Sequence, residues 1–336
     1  MTANKARKLY SLITQHIASR IVAMACELRF DDVLSDKAIS ISHFANYFNF
    51  NSDAMFRMLR VLETYEIVEL IGKNHVKKGN NCEALSTIRG PHLLESFVVM
   101  NYLQNTMETN KECYSDAFGK SFYVHMNDNE KIKVELQNWS EQTMEHWLFP
   151  AVNNTYDFTL FNRVYELGSD GSFLANLLKQ DSKKTGLLLN KSDVIKDAYK
   201  IFEKHNVINR TEFIAKELAE HIPLGGDLYL FCRSLLNYID EKIVEIITKC
   251  QRYIKHKACL LIIDFYLPKI DDPNYELSVI ADINILTCLN GKLRTQNEWI
   301  KLMHSCNFKK LTFKIVGEET EPKPVLPMFI IELKIN

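Results

Sequence analysis

The sequence predicts an α/β protein: a doubly wound, mostly parallel sheet with an antiparallel hairpin at one edge, preceded by a mostly helical N-terminal domain. Three observations predict it. From Arg163 onward short apolar strands alternate with amphipathic helices, the pattern that crossover connections impose on a parallel sheet. The last two strand-like runs, FKKLTFKIV and PMFIIELKI, have no helix between them and should pair antiparallel at the sheet edge. Before residue 80 the apolar residues recur at helical spacing and end in a hairpin pattern.

In chain order, Leu9, Leu12, Ile13, Ile17, Ile21 and Val22 share one helical face, which continues into Met24, Ala25 and Leu28. A short helix over 40–48 follows. Asn51 or Ser52 caps another that carries Met55, Leu59 and Leu62. IVELIGKNHVKKG then reads as two short strands around a Gly-Lys-Asn-His turn. Helix, helix and hairpin make a winged-helix pattern over 1–80. Residues 81–150 read as a helical segment between domains, with Trp139, Met144, Trp147 and Phe149 as core. Over 151–336 the strands are RVYELG, TGLLLN, TEFIA, DLYLF and CLLIIDF. The intervening helices include SFLANLLKQ, DVIKDAYKIFEKH and EKIVEIITKCQRYI.

With 336 residues, 46% hydrophobic and 25% charged, the chain can bury a sizeable core. A formal net charge of −1 gives no general attraction to nucleic acid or to an anionic membrane. The winged-helix pattern raises DNA binding, but residues 1–80 hold 11 Lys+Arg against 8 Asp+Glu. The helix that would enter a groove carries only Arg57 and Arg60, opposed by Asp53 and Glu63. That is too few cations to neutralise several phosphates. The apolar first helix suits homodimerisation better. MTANKARKLY lacks the apolar core of a signal peptide, and no apolar run approaches the roughly 18 residues of a spanning helix. A cytoplasmic protein is expected. None of the eight cysteines forms a CxxC pair or neighbours histidine at zinc-ligand spacing, so reduced thiols and no metal are expected.

The first strand of the sheet ends in YELGSDGS, a glycine-containing turn opening onto a helix, where backbone N–H groups can approach a ligand. Around it stand further ordered blocks: LRVLETYEIVEL, AFGKSFYVHMNDNEKIKVELQNWSEQTM, FIAKELAEHIPLGGDLYLFCRSLLNYIDEK and ADINILTCLNGKLRTQNEWIKLMHSCNF. Together these resemble the S-adenosylmethionine (SAM)-dependent O-methyltransferases typified by plant caffeate and hydroxyindole methyltransferases, over nearly the whole length. The resemblance implies a Rossmann-like methyltransferase sheet holding SAM, a winged-helix dimerisation domain, and a small-molecule substrate. It also implies a histidine base oriented by acids, with catalysis owing much to alignment of nucleophile and methyl.

Carried over residue by residue, the resemblance places Glu166, Gly168, Asp170, Gly171, Asn190, Glu217 and Cys232 around the cofactor. Several depart from the family pattern. Ser169 and Asp170 replace two glycines of the loop, Gly171 falls one place late, and Ser172 stands at the last glycine. Asp170 adds a Cβ and a carboxylate where glycine would give freedom and room. Asn190 replaces the acid that accepts both ribose hydroxyls, a loss of about 1–2 kcal/mol. Lys216-Glu217 replaces Gly-Asp, and Cys232 a lysine. On the catalytic side Leu236 occupies the histidine position and Leu293 one acid position, while the other acid survives as Asp264. Leucine accepts no proton, so base catalysis from position 236 is excluded. His125 is the first candidate for a relocated base, ahead of His146, His304 and His16 of a partner subunit. Three readings stay open: a methyltransferase with weakened conventional transfer, a non-methylating enzyme acting on a small metabolite, and a non-catalytic ligand-binding homodimer.

Overall fold

The structure is a computed structural model describing residues 3–218, 220–254, 258–318, 321 and 323–334. The chain divides into two compact units, one of Met1–Met100 with Met126–Trp139 and one of Asn101–His125 with Ser140–Asn336. The helical segment expected over 81–150 is thus divided between the two.

In the N-terminal unit a helix spans Ala3–Glu27, and shorter ones span Ile41–Tyr47 and Ser52–Glu63. The Asn51 side chain accepts from Asp53 N at 2.9 Å and Ala54 N at 3.1 Å, satisfying donors that a helix start leaves open. Three strands follow the winged-helix arrangement: β1 (Ile39–Ser40), β2 (Val68–Ile71) and β3 (His75–Lys78), in the order β1-β3-β2. The hairpin was expected; β1, two residues long, shows no periodicity to read. Phe30, Phe44, Met55, Leu59, Leu62 and Val76 fill the core beneath them. Arg57, a base of the helix that could enter a DNA groove, is paired with Asp53 at 2.9 Å.

The second unit carries the main sheet. Its strands are β4 (Arg163–Leu167), β5 (Thr185–Asn190), β6 (Thr211–Ala215), β7 (Leu228–Cys232), β8 (Cys259–Leu267), β9 (Arg294–Thr295), β10 (Leu311–Ile315) and β11 (Met328–Lys334). The order is β10-β11-β8-β7-β4-β5-β6, with β9 bridging to the end of β8. β4 to β8 run parallel, and β11 lies antiparallel between β8 and β10, as the hairpin pattern predicts. Side chains alternate between two apolar layers. Val164, Leu188, Leu230 and Ile263 pack under the helices Ser172–Gln180 and Ser192–Lys204. Tyr165, Leu187, Tyr229 and Ile262 face the helices Asp240–Tyr253 and Gln296–Ser305.

From β4 the chain winds outward to β5 and β6, then returns to β7 on the other side of β4. The connections leaving β4 and β7 therefore diverge, opening a crevice at their carboxyl ends. The loop 168–172 and the turn 233–238 leave the sheet there. The helix Glu130–Thr143 passes through a π turn at Met144–Leu148 into Phe149–Thr155. Pro150 lies in that junction and has no N–H for the regular ladder.

Candidate functional site

The loop after β4 is built on two glycines. Gly168 has φ +79° and Gly171 φ +83°. A Cβ at Gly171 would stand 2.7 Å from Phe202 Cε2 and 2.8 Å from Leu188 Cδ2. Ser169 and Asp170 are not in the left-handed region, so they do not need the glycines expected there. Their side chains brace the loop instead. Ser169 Oγ donates to Glu166 Oε1 at 2.6 Å, and Leu174 N donates to Glu166 Oε2 at 2.8 Å. Asp170 Oδ1 accepts from Ser172 N at 2.9 Å at the start of the helix, and its Oδ2 accepts from Ser140 Oγ at 2.8 Å. A carboxylate suits that position because the helix start presents open N–H groups and positive potential. Glu166 is fully buried, and burial pushes its carboxyl up to about 7.

Asn190 ties β5 to the same loop. Its Nδ2 donates to Ser169 O at 2.8 Å, while its Oδ1 accepts from Lys191 N at 2.8 Å. Glu217 pairs with Lys191 at 3.2 Å on a half-exposed surface, rather than with Asn190. Cys232 closes β7 in a buried position, and burial raises its thiol well above the ordinary range. It is thus a neutral thiol at the carboxyl end of β7.

Beyond β7 the chain turns at Arg233, which is itself left-handed at φ +53° and donates its N–H to Ile263 O at 2.8 Å. Fully buried Asp264 holds the next residues: its Oδ2 accepts from Leu236 N at 3.1 Å and its Oδ1 from Phe265 N at 2.9 Å. Burial pushes this carboxyl up to about 7 as well. Both its oxygens therefore accept from backbone N–H groups, one in the turn after β7 and one on β8 itself. Leu236 and Leu293 are buried, and Leu293 N donates to Asp282 at 2.6 Å. Arg294, buried in the GKLRT segment, donates to Tyr238 O and to Asp240, each at 2.7 Å, and clamps the far end of the turn.

His125 lies on the helix Phe122–Asp128 with its Nδ1 2.8 Å from the buried Tyr114 hydroxyl and its ring against Phe118. Two positions earlier, about 200° round the helix, Tyr123 faces the turn: Asn237 Nδ2 donates to its hydroxyl at 3.0 Å. The helix thus presents Tyr123, rather than His125, to the turn after β7.

Among the described residues, buried side-chain polar atoms without a partner include Ser172 Oγ, Ser234 Oγ, Arg233 Nε and Asn237 Oδ1. All four belong to the loop after β4 or the turn after β7. Ser234 also lies close to Gly168, whose added Cβ would come within 3.5 Å of the serine Cβ. Buried polar atoms are normally satisfied, so a cluster of open ones marks a place built to receive a ligand. Sequence reasoning placed Glu166, Gly168, Asp170, Gly171, Asn190, Cys232 and Asp264 in this neighbourhood. It missed Arg233, Ser140 and Tyr123. One signal was available for Arg233: it is a base directly after a fully apolar strand, at the carboxyl end of a parallel sheet.

A family profile described as an O-methyltransferase domain matches residues 100–309. The chain belongs to the O-methyltransferase family. A relative of this O-methyltransferase chain, O-methyltransferase 7 of Dictyostelium discoideum, is 24% identical over 310 residues, covering 88% of this chain and 87% of that one. Aclacinomycin 10-hydroxylase of Streptomyces purpurascens is 22% identical over 224 residues, covering 66% and 59%. Among solved structures, human N-acetylserotonin methyltransferase in complex with SAM matches with a TM-score of 0.82, at 17% identity and with 100% of each chain covered. The α/β fold read from the sequence is thus that of O-methyltransferases. No helix among the described residues is long and apolar enough to cross a membrane.

Proposed function

We propose that the chain is a SAM-binding small-molecule O-methyltransferase whose transfer step runs without a side-chain base, so that conventional, base-assisted methyl transfer is weakened. The observation that carries this reading is that unpartnered buried polar atoms lie both at the end of the loop after β4 and along the turn after β7, where Ser234 adjoins Gly168. The residues present fit SAM. Ser234 offers a hydroxyl beside Gly168 and Ser172 another at the end of the loop, Asp170 adds a carboxylate there, and the Asn190 carbonyl keeps one lone pair at the end of β5. When bound, SAM supplies a methyl group already activated by its sulfonium. The chain's own part is alignment and exclusion of water, which alone account for much of the acceleration of such a displacement.

Calorimetric titration with SAM tests this reading. The expected dissociation constant is at or below roughly 100 μM, about −5.5 kcal/mol; absence of heat and of a thermal shift at millimolar SAM rejects it. A second reading is favoured by a specific pair of facts: positions 236 and 293 are apolar, and one relative in the family is by name a hydroxylase. On that reading the fold serves non-methylating chemistry on a small metabolite, and SAM binds without losing its methyl group to any acceptor. For the assembly we propose a homodimer through the first helix, where Leu9, Leu12, Ile13 and Ile17 are each more than half exposed. Eight buried thiols fit a cytoplasmic setting.

A further inference from the structure

Asp170 occupies a place that would otherwise suit an anion from outside the chain. The helix Ser172–Gln180 begins two residues after it, with open N–H groups and positive potential. Asp170 fills that place itself: its Oδ1 accepts from Ser172 N at 2.9 Å. Its Oδ2 accepts from Ser140 Oγ at 2.8 Å. A carboxylate offers roughly four acceptor positions, so these two bonds leave others open. No ion pair to Asp170 is found among the described residues.

Two further observations put a ligand beside this carboxylate. Ser172 Oγ, buried and without a partner, belongs to the residue whose N–H Asp170 holds. Glu166 on β4, Cys232 on β7 and Tyr123 on the helix Phe122–Asp128 each feel the charges of both Asp170 and Arg233. The carboxylate therefore borders the space between the loop after β4 and the turn after β7. Arg233 is linked to it only through Ser140 Oγ, 3.5 Å from Arg233 Nη2. Glu166 does not compete for a ligand there, because both its oxygens are engaged by Ser169 and Leu174 N. With the anion's place at the helix start already taken, a second anion would meet repulsion. A cationic donor would meet an acceptor with lone pairs to spare.

We propose that the Asp170 side chain receives the α-ammonium of SAM's amino-acid tail, so that the site selects a ligand carrying a cation at that end. This rests on the SAM reading above and deepens it. A glycine at position 170 would leave the helix start free to draw the tail's carboxylate inward; Asp170 reverses that preference. Ser140 is a positioning residue here: its O–H holds Oδ2 and fixes the plane of the carboxylate. A departure from the glycine pattern thus becomes a selective contact rather than an obstruction.

The test compares two ligands that differ only at the ammonium: S-adenosylhomocysteine (SAH) and its deaminated analogue, which keeps the carboxylate. Both are titrated calorimetrically into the full chain and into Asp170→Asn. That variant removes the charge, while its amide oxygen can still accept from Ser172 N and its amide nitrogen can face Ser140 Oγ. The wild type should prefer SAH about tenfold. Asp170→Asn should weaken SAH about tenfold, leave the deaminated ligand unchanged and so erase the preference. Ser140→Ala, which keeps the charge, should retain most of the preference. A wild type without preference overturns the proposal, as does a preference that survives Asp170→Asn. Equal weakening of both ligands marks a structural brace and overturns it too, and tighter SAH binding in Asp170→Asn marks an obstruction and does the same. If the deaminated ligand binds neither form at millimolar concentration, the SAH arm decides: about tenfold weakening at unchanged thermal stability supports the contact, and unchanged affinity or lost stability overturns it. Titration of the wild type with SAM separates the two ideas. SAM binding with a preference independent of Asp170 sinks this contact and leaves the cofactor reading standing, whereas absence of SAM and SAH binding sinks both.

Discussion

At Gly171 two requirements meet in one residue: φ of +83° and a Cβ position already filled by Phe202 and Leu188. Gly171→Ala should cost about 2 kcal/mol or more, from left-handed strain plus overpacking, read as a lower urea midpoint. Asp170→Gly, by contrast, should cost about 1 kcal/mol through loss of a helix-start acceptor. The glycine in YELGSDGS was visible in the sequence, but its reason was not, because Phe202 lies in a helix thirty residues on and only folding brings its ring to the loop. Glu166 and Asp264 carry a pH signature. Unfolded they ionise near 4.5 and 3.8; folded, both ionise at about 7. Between those values the folded chain holds more protons, so their contribution to stability is complete below about pH 4 and is lost as pH rises through 7. Urea midpoints should therefore fall between pH 5 and 7.5, and Glu166→Gln should flatten part of that slope; an unchanged slope would contradict the assignment.

The turn 233–238 is an element held from three sides: Ile263 O at its start, Asp264 at Leu236 N, and Arg294 at Tyr238 O. Arg294→Met should destabilise by about 2–3 kcal/mol, since it leaves a carbonyl without its donor and Asp240 without its partner. It should also weaken SAM binding by loosening the turn. Thr295→Ala, which removes a capping box with Glu298, should cost about 1 kcal/mol and leave SAM binding alone. Thermal denaturation paired with calorimetric SAM titration distinguishes the two variants. Elements of this kind were only half legible. β4, β5, β7, β8 and β11 are mostly apolar strands of five or more residues, and the sequence pattern finds them. β9 is two residues long and exists because the clamp at Arg294 lays it beside β8. The left-handed backbone at Arg233 is a conformation that no side-chain pattern encodes.

At the scale of the molecule, the long apolar face of the Ala3–Glu27 helix is the feature most at odds with a lone chain in water. Ile13→Asp should shift the sedimentation coefficient of the full chain from that of a dimer to that of a monomer, while circular dichroism stays unchanged; a wild-type monomer would remove the basis of the proposal. The domain-level pattern, helices then alternating strands, was plain in the sequence because it repeats over hundreds of residues and needs no single contact. Division of the 81–150 segment between two units was not, because every part of it is simply helical.

The eight buried thiols have a use that has nothing to do with chemistry at the site. Cys26 and Cys82 belong to the first unit, and Cys113, Cys232, Cys250, Cys259, Cys288 and Cys306 to the second. A burial this complete makes each sulfur a reporter that an alkylating reagent reaches only when its surroundings open. Mass-resolved alkylation at increasing urea would time the opening of each unit from its own cysteines. Two rates would emerge if the units open independently and one if they open together, with no label or engineered residue required.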